Sequence, residues 1–337
     1  MSLTSKLSGT KEADKDFQKI IKCVTPDKKI IKTESGVRAF SDEYKLKVPN
    51  ELENSYQSSV SGIAFDYLAR FFIGQEVDKG RWNSFLNLNA LKGLLTLVYN
   101  PDEYSKLEMR YISHLAHIME FVYSESAKVD SLTDKVSNKI EYQAYKNFLD
   151  KESKSNYKYE FDSSHLIAYA VYFAKLEMIY RSKVIPEDIN ELTHLDMEQF
   201  NDLSQLCNTF FEIFIYSGLI TKESDVVYNP TFGKTGKLVG GADADIYIDG
   251  VLYDFKSTKT NAYKWQDFGQ IISYYLLNEL TDKKDDGATL SKKKINRIAL
   301  YKSRFGEIEY VDITDISKVE LRNSIENLKI YFVDNKG

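Results

Sequence analysis

The chain has few cysteines, no long apolar run and no excess of basic charge, and each shortage excludes a class of protein. Its 337 residues include only Cys23 and Cys207, too few for a disulfide framework or a zinc cluster. No apolar stretch approaches the ~18 residues of a membrane-spanning helix, and the first residues lack the apolar segment of a signal peptide. We therefore expect a cytoplasmic protein without a membrane partner.

The sequence also lacks the charge and the nucleotide-binding motifs of several functional classes. The net charge is −5, which argues against a protein that passively coats nucleic acid but is compatible with a local basic groove. Neither a P-loop nor a dinucleotide-binding fingerprint is present, so the chain carries no recognisable ATPase motor. Its length accommodates one large domain or two ordinary ones.

Apolar residues recur at helical spacing through most of residues 51–222, and all of the predicted strands come after them. Residues 1–50 are lysine-rich and weakly periodic, which predicts a partly flexible N-terminal arm with one short helix. We expect a helical part over 51–222 and a sheet-containing core over 223–337, together forming one domain. The predicted helices include residues 86–98, 103–124, 131–151, 163–181 and 197–218.

The segment from Gly240 to Lys256 predicts a β-hairpin with charged residues on one face. Asp249-Gly250 is a strong signal for a two-residue turn. Because residues two apart on a strand share a face, three carboxylates and one lysine are expected to project together. Like charges on one face repel, and a divalent cation such as Mg²⁺, which takes oxygen ligands, would offset that repulsion. Counting outward from the turn pairs Tyr247 with Leu252, Ile246 with Tyr253, Asp245 with Asp254, and Asp243 with Lys256.

The motif Asp254-Phe255-Lys256 lies on the second strand of this hairpin, after Asp243 and Asp245 in the sequence. It precedes Gln270-x-x-x-Tyr274 on a predicted helix. This combination resembles the PD-(D/E)xK nuclease superfamily, and the Gln-x-x-x-Tyr element is similar to that of its RecB-like and lambda-exonuclease-like branch. The resemblance covers about residues 226–304. It implies a restriction-endonuclease-like α/β fold, in which helices flank a mixed β-sheet core, with a large and mostly helical N-terminal part.

The same resemblance implies a nuclease that depends on Mg²⁺ or Mn²⁺ and hydrolyses phosphodiester bonds, with DNA as the expected nucleic acid. Exonuclease and endonuclease action are both compatible with the motif. The rival interpretation is a catalytically inactive nuclease-fold protein that acts as a nucleic-acid-binding or assembly module. The intact acid–acid–lysine set argues against that rival.

The resemblance also assigns roles to individual residues. Asp254 and one further aspartate would hold the metal ion. Asp245 lies opposite Asp254 by hairpin counting, whereas Asp243 follows Gly240 at the family's Gly-x-x-Asp spacing, and both alternatives stay open. Lys256 would position or deprotonate the attacking water, or stabilise the transition state as a point charge. Gln270 and Tyr274 share a helix face and would approach the active site and the nucleic-acid backbone.

Asp66, on a helix predicted to begin near Ser58, stands where RecB-like nucleases carry the His or Glu of their first motif. It is a candidate metal ligand, or else the partner of Arg70 in an ordinary helix ion pair. Basic residues also outnumber acidic ones after the motif strand, which predicts a local surface for phosphate contacts. This basic set comprises Lys256, Lys259, Lys264, Lys283, Lys284, Lys292, Lys293, Lys294, Arg297, Lys302 and Arg304.

Overall fold

The computed structural model describes residues 2–49, 51–78, 89–90, 93, 163–192, 194–285, 287–291 and 293–335. The chain forms two compact units. The first unit combines residues 1–49 with residues 208–337, and the second comprises residues 50–207. Two of the predicted helices, 103–124 and 131–151, lie outside the described residues, and of the predicted helix 86–98 only residues 89, 90 and 93 are described. No described helix combines the length and the apolar character that crossing a membrane requires.

A mixed sheet of six strands lies in the first unit. The strands are β1 (Lys32–Thr33), β2 (Val226–Tyr228), β3 (Ile246–Ile248), β4 (Val251–Lys256), β5 (Arg297–Lys302) and β6 (Glu307–Asp312). Their order across the sheet is β1-β6-β5-β4-β3-β2. Strands β4 and β5 are parallel, and the other neighbours are antiparallel. The predicted α/β class with a mixed sheet is therefore confirmed.

Eight α-helices are found in the described part of the chain. They are α1 (Leu3–Ser8), α2 (Glu12–Lys22), α3 (Ser55–Asp78), α4 (Ser163–Ser182), α5 (Met197–Phe210), α6 (Gly233–Leu238), α7 (Trp265–Leu280) and α8 (Lys318–Asp334). Helix α5 continues into a π-helical turn over Phe211–Ile215. Helix α7 connects β4 to β5, and a crossover connection of this kind is what a parallel pair of strands requires.

The two faces of the sheet have different partners because side chains alternate along each strand. One face, which includes Leu252 and Leu300, shares a hydrophobic core with α1, α2, α7 and α8. On the other face, Phe214 stacks on Phe210 at 4.7 Å and packs edge-on against Tyr301 at 4.9 Å, both measured between ring centroids. Since α7 covers the first face, the side chains of Asp254 and Lys256, which alternate with Tyr253 and Phe255, lie under that helix.

The N-terminal segment is part of the first unit and not a separate arm in this structure. Helices α1 and α2 pack against each other, and α2 also contacts α7 and α8. Leu3, Leu7, Phe17 and Ile21 are buried in the same core as the sheet. The apolar spacing in this segment is short and interrupted, so its contribution to the core becomes visible only when the rest of the unit is in place.

The second unit is built around the helix pair α3 and α4, which pack closely against each other. Both helices are apolar around most of their circumference, as expected for buried helices. Tyr67 on α3 and Phe173 on α4 bring their ring centroids to 5.5 Å. Tyr67 also donates a hydrogen bond of 2.6 Å to Glu177 Oε2, which satisfies the buried hydroxyl.

Candidate active site

The hairpin that carries the predicted motif has the register expected from its sequence. Ile248 pairs with Val251, Tyr247 with Leu252, and Ile246 with Tyr253. The two turn residues both have positive φ, 47° for Asp249 and 92° for Gly250, as a type I′ turn requires. This turn fixes the phase of β4, and the phase places Asp254 and Lys256 on the same face of the sheet.

Two aspartates precede the hairpin, and the structure places them differently. Asp245 lies next to the end of the β3–β4 ladder, and its Oδ2 accepts a 2.5 Å hydrogen bond from the Phe255 backbone N–H. Asp243 does not pair with Lys256, as outward counting predicts, but forms an isolated antiparallel bridge with Thr231. The counting fails there because β3 begins only at Ile246, so residues further out no longer follow the ladder.

A chain of polar contacts links Asp254 to Tyr274 across the space between β4 and α7. The Lys256 Nζ lies 2.6 Å from Asp254 Oδ2 and donates a 3.0 Å hydrogen bond to Gln270 Oε1. The Gln270 Nε2 in turn donates a 2.8 Å hydrogen bond to the Tyr274 hydroxyl. The ring of Tyr274 stacks on Phe232 with a centroid distance of 5.4 Å and an interplanar angle of 9°. Four of the predicted site residues are therefore brought together in one connected row.

Burial and neighbouring charges set the protonation of this row. Burial raises the pKa of Asp254, although the nearby Lys256 ammonium opposes that rise. Burial alone would lower the pKa of Lys256, but the surrounding carboxylates, Asp254 first, outweigh it and raise that pKa. The pKa of Tyr274 lies well above its ordinary value, because the hydroxyl is buried and because Asp254, Asp243 and Asp245 disfavour a phenolate. Lys256 therefore stays an ammonium and Tyr274 a neutral hydroxyl.

A second group of charged residues lies beside this row and was not identified from the sequence as a set. The Lys302 Nζ is 3.7 Å from Glu309 Oε2 and 4.0 Å from Asp267 Oδ2. Tyr44 donates a 3.1 Å hydrogen bond to Glu309 Oε1. Lys302 is 2% exposed and Glu309 is fully buried. Asp267 could have been identified from the sequence, because it lies three residues before Gln270 and so shares its helix face. No comparable sequence signal identifies Tyr44.

The predicted basic surface needs a correction at three residues of β5 and the turn that follows it. Lys302 and Arg304 are buried, and Arg304 Nε donates a 2.9 Å hydrogen bond to the Ser257 carbonyl oxygen. Arg297 Nε donates to Asp312 Oδ1 at 2.8 Å. These three side chains were expected to contact phosphates, but neighbouring carboxylates and carbonyl oxygens of the protein already bind them, on strand β5 for Arg297 and Lys302 and in the turn after it for Arg304. Lys259 and Lys264, in the segment between β4 and α7, are exposed.

Asp66 belongs to the second unit and forms an ion pair with Arg70 on α3. Arg70 is 3% exposed, and its Nε also donates a hydrogen bond to the Asp66 carbonyl oxygen at 3.2 Å. Burial raises the pKa of Asp66 to about 6, while the Arg70 charge acts in the opposite direction. The ion-pair alternative is thus realised, and the role of Asp66 as a metal ligand stays a prediction.

Within the described part of the chain, no three Asp, Glu, His or Cys side chains are grouped as a ready metal-binding set. Asp254 directly precedes Phe255, whose backbone N–H donates to Asp245 Oδ2, so these two carboxylates are the candidate oxygen donors of the site. No protein-family model matches this sequence, and comparisons with curated proteins and with solved structures give no significant match. Any functional conclusion therefore depends on the residues of the site.

The buried Glu309 is expected to make stability depend on pH. Its pKa is raised from 4.5 to about 7, mainly by burial. Between those values the unfolded chain has lost a proton that the folded chain retains, so the free energy of unfolding should fall as pH rises from about 4.5 to about 7. Glu309→Gln should remove up to about 3 kcal/mol of this change. Urea unfolding at pH 5 and pH 8 would measure it.

The matched control for this titration is Glu223→Gln, because Glu223 is an exposed residue of the same unit. The control should keep the pH dependence of the unaltered chain. If the free energy of unfolding changes equally with pH in Glu309→Gln and in the unaltered chain, Glu309 is ionised throughout this range. That result would contradict the prediction.

Proposed function

We propose that this protein is a metal-dependent nuclease that hydrolyses phosphodiester bonds, with DNA as its substrate, on a restriction-endonuclease-like fold. The observation that supports the proposal most is the connected row of Asp254, Lys256, Gln270 and Tyr274 under α7. The row combines a buried carboxylate with a charged ammonium that a side-chain amide orients. A solvated strand would give neither the burial nor the contact with the helix.

The donor chemistry of the site fits a hard divalent cation. Asp254 and Asp245 supply carboxylate oxygens, which are the ligands that Mg²⁺ and Mn²⁺ prefer, and Asp243 is the alternative to Asp245. Asp254 is 3% exposed, and a buried carboxylate favours a cationic partner. When bound, the metal ion would supply an acidified water and neutralise charge that develops on the phosphate. Asp66 is retained as a further candidate ligand from the resemblance alone.

Lys256 would act on the phosphate or on the attacking water. Its ammonium has no lone pair and cannot ligate a metal ion, so its contribution is a positive charge and a hydrogen-bond donor. Because its pKa is raised, the charge is present at neutral pH. Gln270 fixes the position of Nζ, and Tyr274 fixes the orientation of the Gln270 amide by accepting from its NH₂ group. Preorganisation of this kind reduces the reorganisation needed during the reaction.

The rival function, a nucleic-acid-binding or assembly module without catalysis, has one observation in its favour. The Lys256 ammonium already contacts Asp254 Oδ2, so it competes with a metal ion for the same oxygen. The two functions differ in their metal binding. A catalytic site should bind Mn²⁺ at a saturable carboxylate site, whereas a scaffold that has lost the chemistry should not.

The proposed function is tested by incubating the protein with labelled linear and circular DNA, single- and double-stranded, in Mg²⁺ or Mn²⁺. Products are separated by length, and a parallel reaction contains a chelator. Metal-dependent shortening of linear DNA alone would indicate exonuclease action, and nicking of circles would indicate endonuclease action. Intact DNA in every reaction, together with calorimetry that detects no Mn²⁺ binding, would favour the rival.

The helix residues of the row should affect cleavage more than stability. Gln270→Leu removes the acceptor that positions Lys256, and Tyr274→Phe removes the hydroxyl that orients Gln270. We expect Gln270→Leu to reduce the cleavage rate about 10-fold or more, and Tyr274→Phe to reduce it less, because its effect passes through Gln270. Melting temperatures should change little. Cleavage by both variants at the unaltered rate would exclude α7 from the site.

A further inference from the structure

Two lysines lie side by side on the face of the sheet that α7 covers. In the parallel pairing of β4 and β5, Lys256 is directly opposite Lys302. Like charges opposite each other on neighbouring strands are destabilising, so each ammonium needs its own carboxylates. Lys256 contacts Asp254, whereas Lys302 lies between Glu309 and Asp267.

Asp267 is the carboxylate that both lysines can attract. It lies in the first turn of α7, one helical turn before Gln270, which already contacts Lys256. Its Oδ2 is 4.0 Å from Lys302 Nζ, and its charge is also felt at Lys256. An additional carboxylate in contact with Lys256 would compete with Asp254 and Gln270 for the same ammonium.

We propose that Lys302 is a positioning residue of this site, which holds the Asp267 carboxylate and so leaves the Lys256 ammonium to Asp254 and Gln270. The carboxyl group of the fully buried Glu309 is the second group that contacts the Lys302 ammonium. Tyr44 keeps Glu309 in place through its hydrogen bond. The effect of Lys302 on cleavage rests on the proposed nuclease function, whereas its effect on the position of Asp267 does not.

The burial of Lys302 supports a specific role for its charge. The side chain of Lys302 is 2% exposed. It was expected to contact phosphate, but a side chain buried at this position does not reach a phosphate outside the protein. Burying an ammonium is costly unless carboxylates accompany it. A neutral side chain in the same space would leave both carboxyl groups without their cation, so it is the charge of Lys302 that links Asp267 to Glu309.

The test compares Lys302→Met, Asp267→Asn and the double variant with the unaltered chain. In Lys302→Met, Asp267 is released toward Lys256, and cleavage should fall about 10-fold or more. Adding Asp267→Asn removes the competing charge, so the double variant should cleave faster than Lys302→Met and as fast as Asp267→Asn alone. Lys302→Arg, which keeps the charge, should retain most of the activity.

A crystal structure of Lys302→Met gives a measurement that does not depend on activity. The Asp267 carboxylate should then lie within ion-pair distance of Lys256 Nζ. The proposal is overturned if Asp267 keeps its position in the folded variant, or if the double variant cleaves no faster than Lys302→Met. If the unaltered chain cuts no DNA, the proposed function fails, but the position of Asp267 still tests the role of Lys302.

Loss of folding is controlled by circular dichroism and by a second substitution, Lys302→Gln. This variant removes the charge but keeps a polar group of similar reach between Asp267 and Glu309. Lys302→Gln should show the same loss of cleavage and the same movement of Asp267 toward Lys256 as Lys302→Met. If neither variant folds while Lys302→Arg does, Lys302 serves the stability of the core alone, and the positioning role is overturned.

Discussion

Lys256→Ala is expected to abolish DNA hydrolysis while leaving Mn²⁺ binding intact or slightly stronger. The ammonium cannot ligate a metal ion, and its removal frees Asp254 Oδ2, which it contacts at 2.6 Å. The loss of a positioned acid–base or charged group typically lowers a rate by about 10²–10⁴-fold. Single-turnover cleavage of labelled DNA and calorimetric titration with Mn²⁺ would measure the two effects separately.

Asp254→Ala is the partner variant and should abolish both hydrolysis and metal binding, because it removes a carboxylate from the proposed ligand set. Lys259→Ala is a matched control, since Lys259 is exposed just beyond the motif. It should lower DNA affinity at most and leave the metal titration unchanged. If Lys256→Ala cuts DNA at the parental rate, the motif is coincidental, and the binding-module alternative should replace the nuclease proposal.

Arg304→Met is expected to cause the largest loss of stability among the variants considered. Arg304 is fully buried, and it donates hydrogen bonds to the carbonyl oxygens of Ser257 and Pro49 at 2.9 and 3.2 Å. Methionine fills much of the volume but leaves both carbonyls without these donors. At about 1–3 kcal/mol for each unsatisfied group, the free energy of unfolding should fall by about 3 kcal/mol or more.

The position of Arg304 explains why this loss should also disturb the site. Ser257 directly follows Lys256, so the guanidinium anchors the end of the motif strand. The backbone oxygen of Arg304 also accepts hydrogen bonds from the backbone amides of Lys47 and Val48, both at 2.9 Å. Chemical denaturation, with the exposed Arg322→Met as the control, would measure the effect. A loss no greater than that of the control would show that these carbonyls find other donors.

The sequence alone was sufficient for the features whose causes are local. The Asp249-Gly250 turn has a strong intrinsic preference, and the period of two along a strand then determines which side chains share a face. The β3–β4 register and the shared face of Asp254 and Lys256 followed from these two rules. The spacing of four residues likewise placed Gln270 and Tyr274 on one side of α7, where the structure finds them hydrogen-bonded.

The tertiary structure decided what depends on residues that are distant in the sequence. The apolar residues of α1 and α2 are buried because the sheet and α8 cover them, and Tyr331 of α8 comes some 300 residues later in the chain. No local pattern therefore distinguishes these two helices from a flexible arm. Lys302 and Arg304 look like surface cations in the sequence, and only burial assigns them to internal contacts. The sequence shows which residues are charged, whereas their exposure and their partners arise from packing. The contact between Asp267 and the buried Lys302 is a consequence of both.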